Sequence, residues 1–187
     1  FVQGRQVGPG DPGDKAKQPR TSSTAWINAS TIASSGQAGR LVTSAQRRLA
    51  SRSRRPLAHA ENMQVPRYGV NDHYHYHLDN GGSSNIKGRV LTALAYLHDD
   101  FEGGATNWPG ANNADAAEQV NIRNVHAVRE HFARCQVERG LSVAPQQGSV
   151  ALFYTLLPNT AEKDWWAWHA SCDVKAGEKW AANFWFH

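Results

Sequence analysis

The sequence predicts a mainly β domain, an antiparallel sandwich or barrel, flanked by one N-terminal helix. From Asn62 onward, short segments rich in β-branched and aromatic residues recur: MQVPRYG, HYHYHLD, RVLTALAYLHD, LSVAP, SVALFYTLL, HASCDVK and KWAANFWFH. They are separated by turn-forming clusters, DNGGSSN, EGGATNWPG, APQQG, LPNTAEKD and KAGEK. Many short strands joined by Gly-rich turns indicate closed or stacked antiparallel sheets. The length of 187 residues suits one domain, and 40% hydrophobic content with seven Trp argues against global disorder.

Taken in order, residues 1–20 are rich in Gly, Pro and charge and read as a flexible lead-in to a domain over 21–187. Order is expected from TSSTAWI. A helix should follow through about Leu49, with RSRRP closing it, because the residue before Pro56 is pushed out of the α region. Leu41, Ala45 and Leu49 fall at helical spacing, which assigns Arg47, Arg48 and Arg52 to the solvated side. The net charge of +4 is bunched there, and no recognition motif accompanies it, so no nucleic-acid partner is expected. No apolar run approaches the roughly 20 residues of a membrane span, and residues 1–20 lack the apolar region of a signal peptide. Residues 112–135 interrupt the strand pattern and read as a partly helical insertion whose His126 and His131 are partly exposed polar residues.

In HYHYHLDN, His73, His75, His77 and Asp79 recur at every second position, so on a strand all four project from one face. His77 and Asp79, two apart, supply one imidazole and one carboxylate, two of the three ligands of a 2-His-1-carboxylate triad that leaves positions open on Fe(II). HxD alone is a weak motif. WHASCDVKAGEKW adds His169 on one strand and Lys179 on the next, with a turn between them, which brings a distal ligand and a cationic anchor into one pocket. A rival reading is a non-catalytic sheet holding zinc or copper through the HxHxHxD run. Two cysteines, Cys135 and Cys172, are too few for a four-Cys zinc site and too distant for a CxxC motif; spacing leaves two thiols or one disulfide open.

In RTSSTAWI, QVPRYGVNDHYHYHLD, RVLTALAYLHDDFEGGATNWP, LSVAPQQGSVALFY and WHASCDVKAGEKWAANFW, the chain resembles the Fe(II)- and 2-oxoglutarate-dependent prolyl 4-hydroxylases over most of its length from Arg20. It is most like the transmembrane branch, whose HxD segment is likewise His-rich; the membrane anchor and calcium-binding module of that branch are absent here. The resemblance implies a double-stranded β-helix (jelly roll). It also implies that His77, Asp79 and His169 ligate iron, that Lys179 pairs with the distal carboxylate of 2-oxoglutarate, and that Tyr68 and Thr106 help hold that carboxylate. Arg89 and Trp185 match positions near the peptide groove, to which Trp165, Trp166 and Trp168 are further candidates. A family cysteine pair matches Cys135 and Cys172 as a disulfide, which points to the endoplasmic reticulum lumen or secretory pathway. Asn71, Asp72 and Ala105 depart from the family pattern without removing a ligand. His73 and His75 then become neighbours of the site.

The activity so implied is hydroxylation of peptidyl proline, coupled to decarboxylation of 2-oxoglutarate to succinate, with Fe(II), O2 and ascorbate as cofactors and a proline-containing peptide as partner. An oxygenase acting on lysyl residues or a small molecule, and a peptide-binding module without activity, are the alternatives.

Overall fold

Alternation along the last strand, β12 (Lys179–Phe186), sets the architecture. Trp180, Ala182, Phe184 and Phe186 turn to one face and join an apolar core, whereas Lys179, Ala181, Asn183 and Trp185 turn to the other and line a cavity. The computed structural model describes residues 2–3, 19–80, 88–111, 121–132 and 135–187. Among these, β12 is flanked by β3 (Met63–Tyr68) and β5 (Leu91–Tyr96) at the centre of a six-stranded sheet. The order is β1 (Val2–Gln3), β2 (Ser23–Ile27), β3, β12, β5 and β9 (Val150–Tyr154). A second sheet runs β4 (Tyr74–His77), β10 (His169–Ser171), β7 (Thr106–Trp108) and β8 (Leu141–Val143). A ribbon pairs β11 (Val174–Gly177) with β6 (Phe101–Gly103). All described ladders are antiparallel, and the two larger sheets enclose the cavity in a jelly-roll arrangement.

The helical segment is two helices, α1 (Ala29–Ser34) and α2 (Gly36–Ser53). Asn28 caps α1 by accepting from the Thr31 backbone N–H at 2.8 Å, and Gly36, at φ +54°, makes the break. α2 covers the outer face of the six-stranded sheet with Ala50, Val42 and Leu49. Leu41 is 65% exposed, which corrects the expected apolar stripe of Leu41, Ala45 and Leu49. A strict four-residue ridge drifts around the cylinder, and the contact follows positions 42, 49 and 50 instead. Arg47, Arg48 and Arg52 face solvent, as expected.

Two further corrections concern strands. HASCDVK is not one strand: it divides at Cys172 and Asp173 into β10 and β11, which belong to different sheets. EGGATNWPG is not merely a turn, for it ends β6 and contains β7. Gly103 and Gly104, at φ +78° and +64°, bend the chain between them, and three-residue strands are too short to show a period. Helix α3 (Val125–His131) lies in the expected insertion. Its Val128, with Phe132, packs on Tyr76, Leu78 and Trp168 behind the second sheet. His126 is exposed and His131 half-buried. Cys135 and Cys172 are joined as a disulfide with Cα atoms 5.2 Å apart. Residues 112–120 and 133–134 of the insertion, 4–18 of the lead-in and 81–87 of the DNGGSSN turn lie outside the described residues; Val2 and Gln3 pair with Thr24 and Ser23. No helix among the described residues is long and apolar enough to cross a membrane.

Candidate metal centre and its cavity

His77 closes β4 and His169 opens β10, and these two residues are directly opposed in the ladder. Asp79 follows β4 after one buried residue, Leu78. The register therefore sets both imidazoles against one carboxylate. His77 Nε2 lies 3.6 Å from Asp79 Oδ1, and His169 Nε2 lies 3.7 Å from Asp79 Oδ2. One donor atom from each falls within 4.8 Å of the others, a grouping that forms around no other His, Cys, Asp or Glu among the described residues. His77 Nδ1 is 2.8 Å from the His75 carbonyl and His169 Nδ1 is 3.0 Å from the Ala167 carbonyl. Those carbonyls accept from Nδ1–H, which leaves the Nε2 lone pairs turned toward Asp79.

Burial, followed by the facing His169, lowers His77 to a pKa of about 4, so its imidazole is neutral at ordinary pH. Burial pushes the Asp79 carboxyl up, but His169, the His77 hydrogen bond and the Thr92 hydroxyl outweigh it and hold the group below the usual carboxylate range. Thr92, not singled out from the sequence, and Trp185, expected only near the peptide groove, fix this carboxylate: Thr92 Oγ1 donates to Asp79 Oδ2 at 2.6 Å, beside Trp185 Nε1 at 3.1 Å. Two imidazoles and one ionised carboxylate, with no fourth protein ligand among the described residues, suit a divalent iron that keeps positions open. His73 and His75 stand apart from the group. His73 Nδ1 lies 3.1 Å from Asp173, and His75 Nδ1 accepts from the Tyr76 backbone at 2.6 Å.

A cavity of about 230 Å³ opens on the three residues. Lys179, 1% exposed, stands in its wall opposite Tyr68 in the β12–β3 register. Its Nζ donates to the Gly104 carbonyl at 2.6 Å and to Ser171 Oγ at 2.9 Å, and lies 5.2 Å and 5.5 Å from the ring centres of Tyr68 and Tyr96. Burial lowers its pKa to about 7. The Tyr96 hydroxyl donates to Thr106 Oγ1 at 2.7 Å. Tyr96 and Ser171 carried no motif, since a Tyr at a strand end and a Ser beside a His ligand are common; only the register brings them to Lys179. A second wall is the Tyr74 ring, stacked on His77 with centroids 3.6 Å apart.

Arg89 and Trp185 also line the cavity. The Arg89 guanidinium lies 3.7 Å over the Trp185 ring and forms a two-point pair with Glu61, at 2.5 Å and 2.7 Å. Of the other tryptophans, Trp26 lines the cavity as well, whereas the three further groove candidates, Trp165, Trp166 and Trp168, do not reach it. Trp168 is buried behind the second sheet and donates to the Ile122 carbonyl, Trp165 packs against that core, and Trp166 lines a separate cleft with Tyr154 and Leu157.

The profile of the 2OG-Fe(II) oxygenase superfamily matches residues 63–187. The chain is 32% identical over 152 residues to "Probable prolyl 4-hydroxylase 3" of Arabidopsis thaliana, covering 79% of this chain and 50% of that protein. It is 33% identical over 150 residues to the "Transmembrane prolyl 4-hydroxylase" of Mus musculus, covering 68% of this chain and 30% of that one. The chain thus spans half or less of the length of these curated relatives. A solved structure of the viral collagen prolyl hydroxylase of Paramecium Bursaria Chlorella virus-1, with 2OG, superposes with a TM-score of 0.59 at 20% identity, over 89% of this chain and 78% of that one. At that identity the likeness is one of fold.

Proposed function

The chain belongs to the 2OG-Fe(II) oxygenase superfamily, and we propose that it is a prolyl 4-hydroxylase acting on proline-containing peptides. The observation that carries this reading is one cavity lined by His77, Asp79 and His169 together with a buried Lys179. In it His77, Asp79 and His169 would hold Fe(II). When bound, the iron with 2-oxoglutarate supplies the oxidising chemistry, in which one oxygen atom of O2 goes to the substrate and the other to succinate as carbon dioxide leaves.

The protein's own residues bind, orient and exclude. The Nδ1 hydrogen bonds of His77 and His169 keep their tautomers, and Thr92 and Trp185 keep the Asp79 carboxylate turned to the centre. Lys179 offers an ammonium to the distal carboxylate of 2-oxoglutarate, while the hydroxyls of Thr106 and Tyr68 add neutral donors. Burial of Lys179 and Thr106 dries this end of the cavity, which strengthens each polar contact made there. Trp185 and Arg89, whose guanidinium lies over the Trp185 ring and is held there by Glu61, form the part of the cavity wall that a proline-containing substrate would meet. The names of the relatives support proline as the residue attacked. The Cys135–Cys172 disulfide supports an oxidising compartment, the endoplasmic reticulum lumen or secretory pathway, and ascorbate would keep the iron reduced.

The test is incubation with Fe(II), ascorbate, 2-oxoglutarate and a panel of proline-rich peptides. Mass spectrometry is expected to show gain of one oxygen atom on proline, with matching succinate. Turnover on lysyl peptides or small molecules and on no proline peptide would overturn the substrate assignment.

A further inference from the structure

Helix α2 carries one sign of charge. Between Asp14 and Glu61 the chain has no acidic residue and nine basic ones, so a chain of net charge +4 is +9 over this segment and −5 over the rest. Six of the nine are arginines between positions 40 and 55. α1 folds back across α2 because position 39 is Gly: a Cβ there would lie 1.8 Å from the Ile32 carbonyl oxygen. The two helices leave a groove of about 670 Å³, whose lining includes Arg40, Thr43, Ser44, Arg47, Arg48 and Arg52. No carboxylate among the described residues pairs with these four guanidiniums.

A merely solvated face intersperses both signs. A concave surface of one sign focuses its field on a partner of the other. From Arg40 to Arg52 the helix rises about 18 Å, the length of roughly five or six residues of extended chain. Guanidinium forks match carboxylates in two-point pairs. We infer that this groove binds an extended acidic segment, rich in Asp and Glu, of another protein. The groove and the metal cavity lie on opposite faces of the six-stranded sheet, so the enzyme is held to its partner with its cavity free. A membrane surface fits less well, because the apolar face such a helix would insert is already buried against the sheet. Nucleic acid fits less well, because no aromatic ring among the described residues lines the groove to stack a base.

The test uses the full chain, an oligo-glutamate peptide carrying a fluorophore, and anisotropy over a range of salt. The triple variant Arg47→Glu, Arg48→Glu, Arg52→Glu is expected to bind about tenfold or more weakly, and the wild-type affinity to fall as salt rises. Arg123→Glu, an exposed change elsewhere, should leave binding unaltered. The thermal midpoint and 2-oxoglutarate turnover of the triple variant should hold, since its side chains are exposed and outside the cavity. Equal binding by the triple variant and the wild type would overturn the inference. So would tighter wild-type binding to phosphatidylserine vesicles or duplex DNA than to the peptide.

Discussion

Asp79 shows how closely the centre is specified at the level of single residues. Its Oδ1 faces His77; its Oδ2 faces His169 and takes hydrogen bonds from Thr92 and Trp185. Thr92→Val keeps the shape but removes one donor, so Fe(II) affinity, measured by chelator competition, is expected to fall about 10- to 100-fold. Lys179→Ala leaves the distal carboxylate of 2-oxoglutarate without its buried cation, and KM for 2-oxoglutarate should rise about 100-fold or more. The same lysine makes binding depend on pH. Free, it has a pKa of about 7, and the anion pairs with the protonated form. Affinity should therefore fall as pH rises above about 7, with proton uptake on binding that calorimetry in two buffers detects; Lys179→Ala should be flat over the same range. In the ligand-free protein the sign is fixed by linkage. The unfolded chain holds a proton there that the folded one gives up, so this group adds stability as pH rises from about 7 toward its ordinary value.

Among the elements, those long enough to repeat a period were legible. β12 declares both its faces in KWAANFWF, since alternate residues meet the core and the cavity. MQVPRY and LTALAY read equally well. The three-residue strands β6 and β7 were hidden among glycines, because no pattern survives over three positions. Position 39 was likewise unreadable, as a glycine in a helix resembles a weakness until the Ile32 carbonyl is seen against it. Gly39→Ala is expected to destabilise the α1–α2 pair by about 1–3 kcal/mol, measured by urea unfolding. Gly36→Ala should cost strain from its positive φ but no clash, since no atom lies within 4 Å of the added carbon.

Over the whole molecule, the disulfide ties the α3 segment to the end of β10, across 37 residues of chain. Cys172 lies three residues beyond His169, and α3 backs the strand that ends in His77. Replacing both cysteines by Ser should cost about 2–4 kcal/mol of stability in denaturant titration. The chemistry of this centre was written in the sequence by itself. HxD, a distal His and a Lys ten residues after it specify donor types and their order, and these depend only on residue identity and spacing. What the tertiary structure decided is which of the excess groups meet. The antiparallel register sets His77 against His169 and leaves His73 and His75 aside, and the fold brings Thr92 to Asp79, Tyr96 to Thr106 and Ser171 to Lys179. Contacts across strands join residues far apart in the chain, and their pairing follows from how two sheets pack, which no local pattern encodes.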